Sequence, residues 1–252
     1  MANLKVRNVT LGAGKPKVCV SLVATNFEEL FAEALRLSKL DCDMIEWRAD
    51  YFMYVGDLSF MRKAVYFIRY AIEDKPLIFT FRTQSEGGKQ PISETYYFEL
   101  YEYMILTGLI DIIDIELNRL PLMEKNVISF AKAKNVKVLV SHHNYQETPS
   151  IPEMTSILGD MENVGADILK LAVQPHDMSE VLSILEVSNT LQDAKPDLPF
   201  IMIGMGEVGK LTRMTGEWFG SVITYASNNR KNSDLGQLPI HQVKKGMDLI
   251  GK

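Results

Sequence analysis

Eight short apolar, β-branched runs recur along this chain at fairly regular intervals, over residues 17–23, 44–50, 77–83, 111–117, 137–143, 168–174, 200–206 and 222–227. Each is too short for a helix and rich in Val, Ile, Leu or Phe, which is how a strand covered on both faces of a parallel sheet reads. Between them lie segments with helical periodicity, among them 27–40, 58–72, 94–106 and 178–191. Asn26, Asp57 and Ser93 stand directly before three of these, where a side-chain oxygen can cap the first free N–H groups. Strand then helix, eight times over, predicts an α/β chain closed into a (β/α)8 TIM barrel, and 252 residues suit that fold.

A doubly wound open sheet shares the alternation but calls for a glycine-rich turn after its first strand. The chain has Ser21-Leu-Val-Ala-Thr-Asn26 there instead. A GxGxxG spacing does occur at Gly204-Met-Gly-Glu-Val-Gly209, after the seventh run, and reads as a tight strand-to-helix turn. Residues 4–14, ending in Gly12-Ala-Gly14, precede the first barrel strand and predict a short hairpin closing the barrel bottom. With no Pro- or Ser-rich linker and no low-complexity tract, residues 1–252 read as one catalytic domain.

The net charge of -5 argues against a nucleic-acid binder, whose footprint is basic. Cys19 and Cys42 belong to no CxxC pair or Cys/His cluster, so no metal site is expected and a reduced compartment fits. No apolar run approaches the roughly 20 residues that span a bilayer, and the first residues lack a secretory h-region. A cytoplasmic protein without a membrane partner is expected.

In such a barrel the active site lies at the C-terminal strand ends. Strand two ends Glu46-Trp-Arg48-Ala-Asp50, strand three Thr80-Phe-Arg82-Thr, strand four Asp114-Ile-Glu116 and strand five Ser141-His-His143, while strand six carries Lys170. Because side chains alternate, Glu46 shares a face with Arg48, Asp114 with Glu116, and Ser141 with His143. Ile45, Trp47, Ile113, Ile115, Leu169 and Leu171 then face the helices, and the charged set points inward.

Lys170, flanked by Ile168, Leu169, Leu171, Ala172 and Val173, cannot easily snorkel to water. A buried ammonium is costly, so a lysine in such a setting tends to give up its proton and act as a nucleophile, helped by cations such as Arg48, Arg82 and Arg213. The competing role is a structural ion pair with Glu116 or Glu46. His143 is the natural proton-transfer partner, and parity turns His142 toward the helix layer. His176 and His241 belong to surface positions. Glu86, ahead of Gly87-Gly88, could orient a histidine or sit solvated in its loop.

Taken together, Glu46-Trp-Arg48-Ala-Asp50, Phe-Arg82 followed by Glu86-Gly-Gly88, Ser141-x-His143, Lys170 and Arg213 resemble the type I 3-dehydroquinate dehydratases in order and spacing, over essentially the whole chain. The resemblance implies dehydration of 3-dehydroquinate to 3-dehydroshikimate in the shikimate pathway, without metal or organic cofactor, in a homodimer. It makes Lys170 the imine-forming nucleophile, His143 the proton carrier and Glu86 the group that fixes the His143 tautomer. Arg213 would pair with the substrate carboxylate. Ser21, Glu46, Arg48, Arg82, Ser233 and Gln237 would hold the ring, with Met205 beside the lysine. The implied substrate-binding set also takes in Trp47, which parity turns the other way.

The last loop departs from the family's Ser-Ala-Pro-Gly-Gln, reading Ser233-Asp-Leu-Gly-Gln237. Loss of the proline removes a fixed φ, and Asp234 adds a carboxylate near an anionic substrate, so a lid over 228–237 with weakened binding is expected. Two alternatives stay open on the residues alone. One is a class I aldolase acting on a sugar phosphate cradled by Gly204-Met-Gly206; the other is a barrel that binds without catalysis.

Overall fold

Eight parallel strands carry the chain once around a barrel: β3 (Lys17–Leu22), β4 (Met44–Arg48), β5 (Leu77–Thr80), β6 (Ile112–Glu116), β7 (Lys137–Asn144), β8 (Ile168–Val173), β9 (Phe200–Gly204) and β10 (Ile223–Ala226). They are preceded by an antiparallel hairpin of β1 (Leu4–Val6) and β2 (Val9–Leu11). The computed structural model describes residues 3–122, 126–195, 197–227 and 236–251. Strand order is β10-β3-β4-β5-β6-β7-β8-β9, and the ring closes where Phe200 bridges Ser221 and the Val222 N–H donates to the Phe200 carbonyl at 2.9 Å. The surrounding helices are α1 (Phe27–Ser38), α2 (Leu58–Ile72), α3 (Glu94–Leu106), α4 (Val127–Ala133), α5 (Ile151–Asn163), α6 (Met178–Ala194), α7 (Lys210–Met214), α8 (Gly216–Phe219) and α9 (Ile240–Ile250).

The expected caps are in place. Asn26 accepts from the Glu29 N–H, Asp57 from Ser59 and Phe60, and Ser93 from Tyr96. Strands β4 and β5 stop earlier than the apolar runs do, because Ala49–Tyr51 and Gln84–Glu86 coil into single 3-10 turns. Arg82, Thr83 and Glu86 therefore sit on a loop above β5, free to bend over the barrel mouth.

Alternation splits the apolar residues into two cores. Ile45, Trp47, Phe79, Ile113, Ile115, Leu169 and Leu171 pack outward with the helices. Cys19, Met44, Ile78, Ile112, Leu139, Ile168 and Ile201 fill the barrel interior. Val6 and Leu11 of the hairpin join that interior cluster, so the predicted bottom plug is present.

Trp47 corrects the substrate-binding set. Its indole is fully buried on the helix side, edge-on to Phe52 and Phe79 at 6.1 and 5.6 Å between ring centroids. Register is the cause: Glu46 pairs across to Ser21 and Ile78 on the inner face, which forces its neighbour outward.

The 204–209 glycines form the tight turn expected of them. A Cβ on Gly209 would lie 2.2 Å from the Gly204 carbonyl carbon, so only two glycines let strand β9 pass so near the start of α7. The Gly204 N–H donates to Thr212 Oγ1 at 3.0 Å and the Met205 N–H to the Val173 carbonyl at 2.8 Å. Those two donors are therefore not presented to a phosphate, which removes two of the three N–H groups of the sugar-phosphate alternative's cradle.

Trp47→Ala should lower the unfolding free energy by about 3–5 kcal/mol, the usual loss for emptying a large aromatic from a core. Urea denaturation measures it, and an unchanged midpoint would put the indole outside the core.

Candidate active site

Lys170 projects from the middle of β8 into the barrel mouth, with its side chain 5% exposed. Its Nζ lies 2.9 Å from Asp114 Oδ2, 3.2 Å from Tyr225 Oη and 3.4 Å from Glu46 Oε1, and 4.5 Å from the Tyr225 ring centroid. The ion pair foreseen as a competing role is therefore real, with Asp114 in place of Glu116. Glu116 is occupied by the Thr83 N–H at 2.8 Å, the Thr83 hydroxyl at 2.6 Å and Arg82 at 3.3 Å. The ion pair leaves room for the expected nucleophilic role, because the carboxylates hold the amine at the floor of an open cleft.

Arg82 is the hub of the buried charges. Its guanidinium donates to Ser141 Oγ at 2.9 Å, Asp114 Oδ2 at 2.8 Å, Glu116 at 3.3 Å and Glu86 at 3.4 Å. Burial opposes its charge, yet Asp114, Glu116 and Glu86 together raise its pKa well above the usual arginine value. Burial likewise opposes the Asp114 carboxylate, but Arg82 and then Lys170 hold its pKa below the usual range. Arg48 is clamped by Asp50 through two bonds of 2.8 and 2.9 Å, which faces its remaining edge toward the cleft. Ser21 donates to Glu46 Oε2 at 2.8 Å.

His143 Nδ1 lies 2.9 Å from Glu86 Oε2. Burial, with the fields of Arg82, Lys170 and Arg48, lowers the imidazole pKa well below its ordinary value. Burial first, and then Glu116 and Asp114 against the pull of Arg82, raise Glu86 to about 8. Both directions describe one buried pair that resists carrying two opposite charges. Asn118 donates to Glu86 Oε1 at 3.0 Å, and the Tyr145 ring stacks on His143 at 6.3 Å between centroids. The loop carboxylate is thus buried and bonded to the histidine, and is not a solvated group. His142 points away from the interior as parity requires, but its Nδ1 still comes within 3.7 Å of Glu86 Oε1.

Arg213 arrives from α7, and burial alone lowers its guanidinium pKa to about 10. It joins Ser21, Glu46, Arg48, Arg82, His143, Lys170, Met205 and Gln237 around one cleft. Ala172, Ile203, Tyr145 and Tyr225 complete the lining. Nine of the expected site residues thus meet at one place, with Glu86 directly behind His143. Ser233, Asp234 and residues 228–235 of the expected 228–237 lid lie outside the described residues. Sequence reasoning missed Tyr225, Tyr145 and Asn118. Tyr225 had a usable signal, since it stands in register with Cys19 on the inner face of β10.

A model of the family described as type I 3-dehydroquinase matches residues 18–252. A 3-dehydroquinate dehydratase from Alkaliphilus oremlandii is 39% identical over 99% of this chain and 97% of its own length. One from Clostridium novyi is 38% identical over 99% and 98%. Among solved structures, a type I 3-dehydroquinate dehydratase from Clostridium difficile, bearing covalently modified comenic acid, superposes with a TM-score of 0.93 at 36% identity, covering 99% of this chain and 98% of that one. The Enterococcus faecalis 3-dehydroquinate dehydratase does so with a TM-score of 0.91 at 35% identity, covering 99% and 100%. With a family match spanning nearly the whole chain and relatives this similar end to end, this chain belongs to the type I 3-dehydroquinase family.

Proposed function

We propose that this chain dehydrates 3-dehydroquinate to 3-dehydroshikimate through an imine on Lys170, as a step of the shikimate pathway. The observation that carries this reading is the meeting of a buried lysine and a carboxylate-oriented histidine in one cleft. Lys170 gives up a proton as its amine adds to the ring ketone, and the carbinolamine hydroxyl takes up a proton as it leaves as water, so that the product is an iminium whose positive nitrogen draws electrons from the adjacent carbon. His143 Nε2 takes the proton alpha to that carbon while Nδ1 stays bonded to Glu86. The electron pair expels the β-hydroxyl, which leaves as water with the proton from His143. A second water hydrolyses the iminium and frees Lys170.

The remaining residues bind and orient. Arg213, already desolvated, pairs with the substrate carboxylate without a further burial cost. Arg48, Ser21, Glu46 and Gln237 face the cleft with groups suited to ring hydroxyls, and Arg82 fixes Ser141, Asp114 and Glu86 beneath them. Met205 forms an apolar wall. Ser233 belongs to the same set by the resemblance. So do the homodimer, the cytoplasmic location and a mechanism that needs neither metal nor organic cofactor.

Borohydride added with substrate should inactivate the protein and place one reduced ligand mass on the peptide bearing Lys170; a label on any other lysine sinks the assignment. His143→Ala should lower turnover by about 10²–10⁴-fold while the adduct still forms, and His142→Ala should cost far less. Mass spectrometry and steady-state kinetics separate the two effects.

The pH profile tests the pair. His143 acts as a base only after the His143–Glu86 pair has given up its shared proton, which burial of Glu86 delays to about pH 8. Thus kcat/KM should rise with pH into that region. Glu86→Gln should move the rising limb to lower pH, because the imidazole then titrates alone, well below its ordinary value, and kcat should fall. A limb that stays in place would disconnect Glu86 from the base.

A further inference from the structure

Three groups hold Lys170 Nζ, and they differ in kind. Asp114 and Glu46 are carboxylates that only accept hydrogen bonds, whereas the Tyr225 hydroxyl can accept and donate together. Tyr225 is almost fully buried, and burial, followed by the nearby Glu46, raises its pKa well above the ordinary phenol value. It therefore keeps its proton. That hydrogen is directed at Glu46 Oε1 over a long 3.4 Å, and Glu46 Oε1 also receives Thr80 Oγ1 at 3.2 Å and Lys170 at 3.4 Å. An acceptor supplied three times over can release one donor cheaply. Tyr225 also lines the cleft, with its hydroxyl within 3.2 Å of Nζ.

We propose that Tyr225 is a catalytic residue of the imine-forming step, acting as a two-way proton relay between Lys170 Nζ and the oxygen of the ketone under attack. The inference rests on the reading of Lys170 as the imine nucleophile. Addition of the neutral amine to the carbonyl leaves a positive nitrogen and a negative oxygen on the same carbon. The nitrogen must lose a proton and the oxygen must gain one, but the two atoms are too close for a direct transfer of good geometry. The Tyr225 oxygen accepts the proton from Nζ while its own proton passes to the alkoxide. One N–H bond and the phenol O–H bond break, two O–H bonds form, on the phenol oxygen and on the former ketone oxygen, and the phenol ends as it began. Neither carboxylate can do this, since each lacks a proton to give. The α-proton transfer and departure of the ring hydroxyl remain with His143.

Tyr225→Phe tests the relay, because it keeps the ring beneath Nζ and removes only the hydroxyl. Adduct formation on Lys170 would be followed by rapid mixing with 3-dehydroquinate, quenching in borohydride and intact-mass measurement, in H2O and in D2O. The variant should form the adduct about 10²-fold more slowly, at the lower end for a positioned proton-transfer group, with an unchanged thermal midpoint. The wild-type protein should show a solvent isotope effect on this phase that the variant loses or alters. Elimination from the adduct once formed should proceed at the wild-type rate. Equal adduct rates and equal isotope effects in the two proteins would overturn the relay. Absence of any Lys170 adduct in the wild-type protein would instead overturn the imine reading on which it rests.

Discussion

The site is organised around a single guanidinium. Arg82 reaches from the loop above β5 to groups on β6, β7 and its own loop, tying Asp114, Glu116, Ser141 and Glu86 into one frame. Buried charges of this sort are tolerated only in company, and removing one member of such a set costs about 3–5 kcal/mol because the others are stranded. The frame extends to the reacting group through one atom: Asp114 Oδ2 receives Arg82 at 2.8 Å and Lys170 at 2.9 Å. The amine is positioned by the same oxygen that anchors the arginine, and the histidine by a carboxyl that the arginine also touches. Lys170 and His143 are thus joined through one hydrogen-bonded lattice before any ligand arrives, which is the arrangement that spares a reaction the cost of reorganising its surroundings.

Much of this was legible in the sequence because it depends on local periodicity. Parity along each strand sent Glu46, Asp114, Ser141, His143 and Lys170 inward and Trp47, Ile113 and Leu169 outward, and the structure agrees at each. Where parity and family resemblance disagreed, at Trp47, parity was right. What escaped depends on height around the barrel and on loop paths, neither of which is written locally. Asp114 and Glu116 share a face, and although register sets Glu116 level with Ser141 and Lys170, the tilt of the strands in a closed barrel brings Asp114 to the lysine. Glu86 could have been a solvated loop residue until the 3-10 turn over Gln84–Glu86 folded it under His143. Asn118, on the far side of that carboxyl, comes from a different loop altogether.

The glycines of that segment show how a loop can be specified by space alone. Gly87 takes a left-handed φ of 84°, and a Cβ on Gly88 would fall 1.7 Å from the Arg82 carbonyl oxygen. The chain must return almost onto itself between Arg82 and Gly88, and this return is what brings Glu86 and the central arginine to the same place.

The hairpin at the other end makes the barrel a blind well. Val6 and Leu11 seal the floor with hydrocarbon, so traffic passes only through the mouth where the polar groups stand. A chemistry that expels one water when the adduct forms, another when the ring is dehydrated, and consumes one at release must route all three past the same ligand. A ring seated in that mouth is both reactant and stopper, and it rations the solvent reaching its own covalent bond to the protein.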